Sequence, residues 1–98
     1  MTGKQIDDSG VTTTQVRQVM LRFEDELEIA LQEHPGFPDD PIHQVAIVCE
    51  ESGEALRAAI QSVYEHGPEA AVDKELVQTA AMCIRALIAR RLQRGAEE

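Results

Sequence analysis

Two acidic steps are the residues in this chain best able to do chemistry: Glu50-Glu51-x-x-Glu54 and, about twenty positions later, Glu75-x-x-Gln78. Side chains three apart on a helix lie one turn above each other on the same side, so Glu51 and Glu54 can reach a single ion. Glu75 and Gln78 share that relation. Two unpaired carboxylates among apolar neighbours repel each other and resist desolvation, so burying them requires protonation, a basic partner or a metal ion. If the helices carrying the two steps pack antiparallel, three carboxylates and an amide oxygen meet around an oxygen-lined cavity. That donor set suits Mg2+, or Mn2+, and suits Zn2+ poorly. Cys49, Cys83, His34, His43 and His66 show none of the spacings of a zinc site. Nor does the chain hold a glycine-rich phosphate loop, a Gly-x-Ser-x-Gly elbow or a Cys-His pair to supply a nucleophile.

The elements that must position these steps are helices. Val16, Val19, Met20, Phe23, Leu27, Ala30 and Leu31 recur at three- and four-residue steps, which predicts an amphipathic helix over 13–32. The run His34-Pro35-Gly36-Phe37-Pro38-Asp39-Asp40-Pro41 cannot be helical, and Asp40 ahead of Pro41 makes a cap for the next helix. That second helix is expected from Pro41 to about Glu65, where His66-Gly67-Pro68 puts glycine and then proline in the order that stops a helix. A third is expected over 68–94, with a break near Val72-Asp73 as an alternative. On the second helix Ile42, Val45, Cys49, Leu56, Ile60 and Val63 form the expected core stripe. Glu51 and Glu54 share the other side with Ile47, Val48, Ala55 and Ala58. The third helix repeats this design: Leu76, Ala80, Ile84, Leu87 and Arg91 lie along one side, and Glu75 and Gln78 sit with Ala71, Met82, Ala86 and Ala89 on another. Strand signals are nearly absent, so the fold class is all-α, an antiparallel helical bundle. Its expected parts are a lead-in over 1–11, one helical domain over 12–94 and a tail over 95–98.

Composition narrows the partners. A chain of 98 residues is near the small end of what buries its own core, and oligomerisation is the expected aid, as homodimer or homotetramer. Both cysteines read as reduced packing residues, no signal peptide or membrane-spanning run is evident, and a cytoplasmic, soluble protein is expected. The formal charge of −9 repels nucleic acid. It opposes nucleotide phosphates too, unless bound cations offset the carboxylates. Glu24, Asp25, Glu26, Glu28 and Glu33 read as a solvated face of the first helix, with Glu24 or Glu28 the ones to consider for the site. Arg57, Lys74, Arg85, Arg90, Arg91 and Arg94 are the bases of the second half able to meet a phosphate, with Lys74, beside Glu75, the best placed, whereas the clustered arginines near the carboxyl end more simply favour the helix dipole and solubility. His34 and Phe37 in the proline-rich loop are candidates to grip a base or ribose.

The run from Val45 to Leu56, followed by Glu75-Leu76-Val77-Gln78-Thr79-Ala80-Ala81, resembles the MazG-type all-α nucleoside triphosphate pyrophosphohydrolases over about residues 44–87. The family signature is Glu-Glu-x-x-Glu, a spacer, then Glu-x-x-Asp. The resemblance implies a four-helix core completed by oligomerisation and Mg2+-dependent hydrolysis of a nucleoside triphosphate to monophosphate and pyrophosphate, a house-cleaning of the nucleotide pool. It implies Glu51, Glu54 and Glu75 as metal ligands within a catalytic set that includes Glu50, which would hold a further ion or orient water. Gln78 stands where the family has aspartate: an amide oxygen can bind Mg2+ but adds no charge and cannot act as a base. The alternative from another class is a non-catalytic helical module that binds nucleotide or a protein partner.

Overall fold

Residues 3–97 are described by a computed structural model; Met1 and Thr2 of the expected lead-in and Glu98 of the expected tail lie outside the described residues. Thr12 starts the first helix, α1 (Thr13–Glu33), with a reciprocal cap. Its hydroxyl accepts from the Gln15 amide at 3.1 Å, and the Gln15 side chain accepts from the Thr12 amide at 2.8 Å. Asp40 opens α2 (Pro41–Tyr64) by accepting from the amides of Ile42 and His43 at 3.4 and 3.2 Å. The third helix, α3 (Glu69–Glu97), passes through Val72-Asp73 without a break and carries residues 95–97 on as helix. No strand occurs among the described residues, so the protein is all-α.

The turn after α2 divides its labour differently from the expected glycine stop. His66 takes the left-handed conformation, with φ of 58°, and Gly67 supplies space instead. A Cβ at Gly67 would lie 3.0 Å from Gln61 Cβ and 3.1 Å from the Gln61 carbonyl carbon. The Gln61 carbonyl accepts from the amides of both Glu65 and Gly67 at 2.9 Å.

Gln44, at the start of α2, bonds Gln93 near the end of α3, so those two helices run antiparallel. Arg22 and Asp25 of α1 lie by Lys74 and Val77 of α3, while His34 is bonded to Arg85 further on, so α1 runs parallel to α3. Both α1 and α2 pack on α3 and leave a cleft between themselves.

The packed sides differ from the expected core. Ile42, Val45, Cys49, Leu56, Ile60 and Val63 face outward, with Leu56 63% and Val63 71% exposed. The side of α2 that meets α3 is the one bearing Glu51, with Ala55 and Ala58 buried and Ile47 and Val48 half-buried. On α3, Ala81 and Ala86 are buried, while Leu76 and Leu87 of the expected stripe stay exposed. Cys49 and Cys83 are exposed rather than packed. The physical reason is steric: alanine lets two helix backbones approach closely, and the larger apolar stripes are turned out by that choice. Half of α1's stripe is uncovered as well, because its first turns, with Val16, Val19 and Met20 exposed, project past the start of α3.

This open arrangement gives a radius of gyration of 16.0 Å, against about 13 Å for a closed domain of this length. Its accessible surface of 7921 Å² exceeds the roughly 5500 Å² expected for a compact monomer of this mass.

The loop between α1 and α2 is anchored by side chains. Gln44, fully buried, donates from Nε2 to the Pro38 carbonyl at 2.8 Å and to Gln93 Oε1 at 3.0 Å, and Gln93 Nε2 donates to the Asp39 carbonyl. Replacing Gln44 with leucine keeps the volume and strands those acceptors. Gln44→Leu should therefore lose about 1–3 kcal/mol of stability in urea denaturation at fixed protein concentration.

Candidate metal centre

The alanine contact sets the centre. Ala55 and Ala58, the buried residues of α2 beside Glu51 and Glu54, put little side chain between that helix and α3, so acidic side chains of the two can meet. One carboxylate oxygen from each of Glu51, Glu54 and Glu75 lies within 4.8 Å of the others. Glu51 and Glu75 are half-buried and Glu54 is exposed, so the cluster has an inner floor and a solvent-facing wall. The Oε2 atoms of Glu51 and Glu75 are shielded from solvent and have no hydrogen-bond partner.

Such a cluster is under strong electrostatic pressure. At an effective dielectric near 20, full charges at this separation repel by about 3–4 kcal/mol per pair, less for exposed Glu54. Burial pushes the Glu51 carboxyl above its ordinary range, and the charges of Glu54, Glu75, Glu50 and Glu26 push it further. Two buried oxygens without donors, in an all-oxygen set drawn from two helices, fit a hard divalent cation.

Glu51 also lines a cleft of about 390 Å³ between α1 and α2, floored by α3. Gln78, His34 and Phe37 line this same cleft, so the loop candidates and the second acidic step come together with Glu51. Glu50 is exposed and lies outside the three-carboxylate cluster, acting on Glu51 only as a nearby charge. Lys74 borders a separate groove of about 240 Å³ with Arg22, Asp25 and Val77, on the α1 side of α3.

The first helix contributes more than solvation. Glu26 and Glu33 line the cleft, whereas Glu24 and Glu28 are exposed and border neither the cleft nor the Lys74 groove. The signal was present in the spacing. Val16, Val19, Phe23, Glu26, Ala30 and Glu33 follow at alternating steps of three and four, so both acids lie in register with the apolar stripe.

Arg85 is the other departure. It is buried among the cleft walls, where Nη2 donates to the carbonyls of His34 at 2.8 Å and Gly36 at 2.9 Å, rather than lying on a solvated carboxyl-terminal face. Gly36 has φ of 99°, a conformation that side-chain-bearing residues rarely adopt, and its carbonyl is one of the two that Arg85 holds. Among the described residues no helix is long and apolar enough to cross a membrane.

Comparison with known proteins brings no match: no family model fits the chain, and neither a curated protein nor a solved structure is similar to it.

An acid whose pKa is raised in the fold binds its proton more tightly folded than unfolded. The ion-free protein therefore loses stability as pH rises from about 4.5 through the folded pKa of Glu51, and the full penalty stands above it. Glu51→Gln should raise the Tm of chelator-treated protein at neutral pH and leave it nearly unchanged in acid. Mg2+ should raise the neutral-pH Tm of the parent protein and have little effect on Glu51→Gln; thermal denaturation across pH, with and without the ion, checks both.

Proposed function

We propose that this protein is a Mg2+-dependent nucleoside triphosphate pyrophosphohydrolase, cleaving the α–β phosphoanhydride to a monophosphate and pyrophosphate, as the MazG-type resemblance implies. The observation that carries the reading is the convergence of Glu51, Glu54 and Glu75 with two shielded, unpartnered oxygens at the edge of a cleft. Those three carboxylates would hold the ion, with the Gln78 amide oxygen as a neutral fourth donor from the next turn of α3. A divalent ion bound there supplies neutralisation of phosphate oxygens and acidification of water.

The chain's own groups then have distinct tasks. Glu50, exposed and next in sequence to Glu51, is free to take a proton from water aligned with the α-phosphorus, or to hold a further ion. His34 and Phe37 line the cleft where the sugar and base would lie, and Ile29, Ile47 and Met82 give it apolar walls. Lys74, next in sequence to Glu75, borders a groove that shares Glu26 and Ile29 with this cleft, and it would meet a phosphate oxygen.

The exposed stripes of α2 and α3 support association. The surface in excess of a compact monomer is larger than the roughly 800 Å² that each partner buries in a standard interface. A second copy covering Leu56, Ile60, Val63 and Leu87 would complete a four-helix core, and a tetramer extends the same logic. We place the activity in the cytoplasm.

A non-catalytic nucleotide-binding module is the second reading, and Gln78 favours it, because the set lacks the fourth carboxylate. Pyrophosphate release from a panel of nucleoside triphosphates separates the two. Hydrolysis with Mg2+ or Mn2+ that is lost in Glu54→Ala is the expected result, and absence of turnover on every substrate would reject the enzymatic reading. Gln78→Asp should tighten Mg2+ binding at least about tenfold by calorimetry, since it adds a charge to the set. Sedimentation should show a dimer or tetramer that Leu56→Glu combined with Val63→Glu converts to monomer.

A further inference from the structure

Glu75, Gln78, Met82 and Arg85 follow one another on α3 at steps of three, four and three, and all are buried or half-buried. One strip of cleft floor therefore runs from the carboxylates to Arg85, about 10 Å along the helix from Gln78 at ~1.5 Å per residue. Arg85 is 6% exposed, yet its contacts are neutral. Nη2 donates to two loop carbonyls, and the Phe37 ring centre lies 5.0 Å from Cζ. Both hydrogen bonds leave from one nitrogen, so Nη1 and Nε retain donors that the loop does not take up. Among the described residues lining the cleft, the acids are Glu26, Glu33 and Glu51, and none of them is paired with Arg85. Neither Nη1 nor Nε is sealed from solvent, so both are open to an acceptor on a ligand in the cleft.

The two ends of the strip thus call for different chemistry. The carboxylate end takes a cation and, through it, a polyanion. The Arg85 end offers an aromatic ring, apolar walls and a side chain that can only donate. Taking the nucleotide reading above as its basis, we propose that Arg85 is a specificity-determining residue that donates to a carbonyl oxygen of the base. The site then favours bases with a ring carbonyl over adenine, which has an amino group where hypoxanthine has oxygen. At the six position adenine presents an amino donor to the donor-only guanidinium, and these two groups cannot pair.

The test compares the α,β-methylene analogues of inosine and adenosine triphosphate, which differ in the six-position group and the proton on the adjoining N1, by calorimetry in Mg2+. The unmodified protein should bind the inosine analogue about tenfold to a hundredfold more tightly, the effect of one charge-assisted hydrogen bond. Arg85→Met should bring the ratio close to one. Because that variant also releases the loop, Arg85→Lys is measured beside it: one ammonium serving both loop and ligand should reduce the ratio as well. Loosening of the loop alone would weaken both analogues equally and keep the ratio, which would overturn the proposal. Equal binding to the unmodified protein would overturn it too. Mg2+ stabilisation without binding of either analogue would overturn this inference and leave the ion site standing, whereas no response to Mg2+ would remove the ion site and this inference with it.

Discussion

Alanine at the contact between α2 and α3 is the constraint on which the rest of the molecule depends. Ala55 and Ala58 of α2 are buried there, and with so little side chain on that face two glutamates of α2 can reach a third on α3. Larger residues at the seam would widen the spacing and separate the carboxylates. The Oε2 atoms of Glu51 and Glu75 are shielded there without a donor, so the packing leaves negative charge that a proton or a cation would offset.

That solution has a structural consequence. Alanine buries little apolar area, and the residues that could bury more, such as Leu56, Val63 and Leu87, are turned outward on both helices. A chain built this way is extended, with a radius of gyration of 16.0 Å, and leaves continuous apolar stripes facing solvent. Site geometry and exposed apolar surface are therefore linked: the larger side chains that could bury more area are the ones turned outward where the acids come together.

The far side of the cleft is organised by polar rather than apolar contacts. Arg85 and Gln93 of α3, and Gln44 of α2, hold the backbone carbonyls of His34, Gly36, Pro38 and Asp39. These bonds carry the proline-rich loop across from α1 to α2 and fix Phe37 over Arg85. The cleft accordingly has one end shaped by like charges and another shaped by a cation and an aromatic ring.

Local chemistry made the helices legible. The Thr12 and Asp40 caps, the prolines of the loop and the three- and four-residue spacing are properties of adjacent residues, and they give α1 and α2 nearly as expected. The shared face of Glu51 and Glu54, and that of Glu75 with Gln78, follow from helical geometry alone. Which face would be inside did not follow, because periodicity gives an angle around a helix and says nothing about the partner. Hydrophobicity favoured the stripe of Ile42, Leu56 and Val63, whereas close approach favoured the alanine side, and only packing decides between area and distance. The half-burial of Glu26 and the burial of Arg85 escape the sequence for the same reason: their surroundings come from segments distant in sequence. The sequence by itself determined the helices and the spacing of the acids; the tertiary structure decided which acids meet, since convergence depends on the distance between backbones.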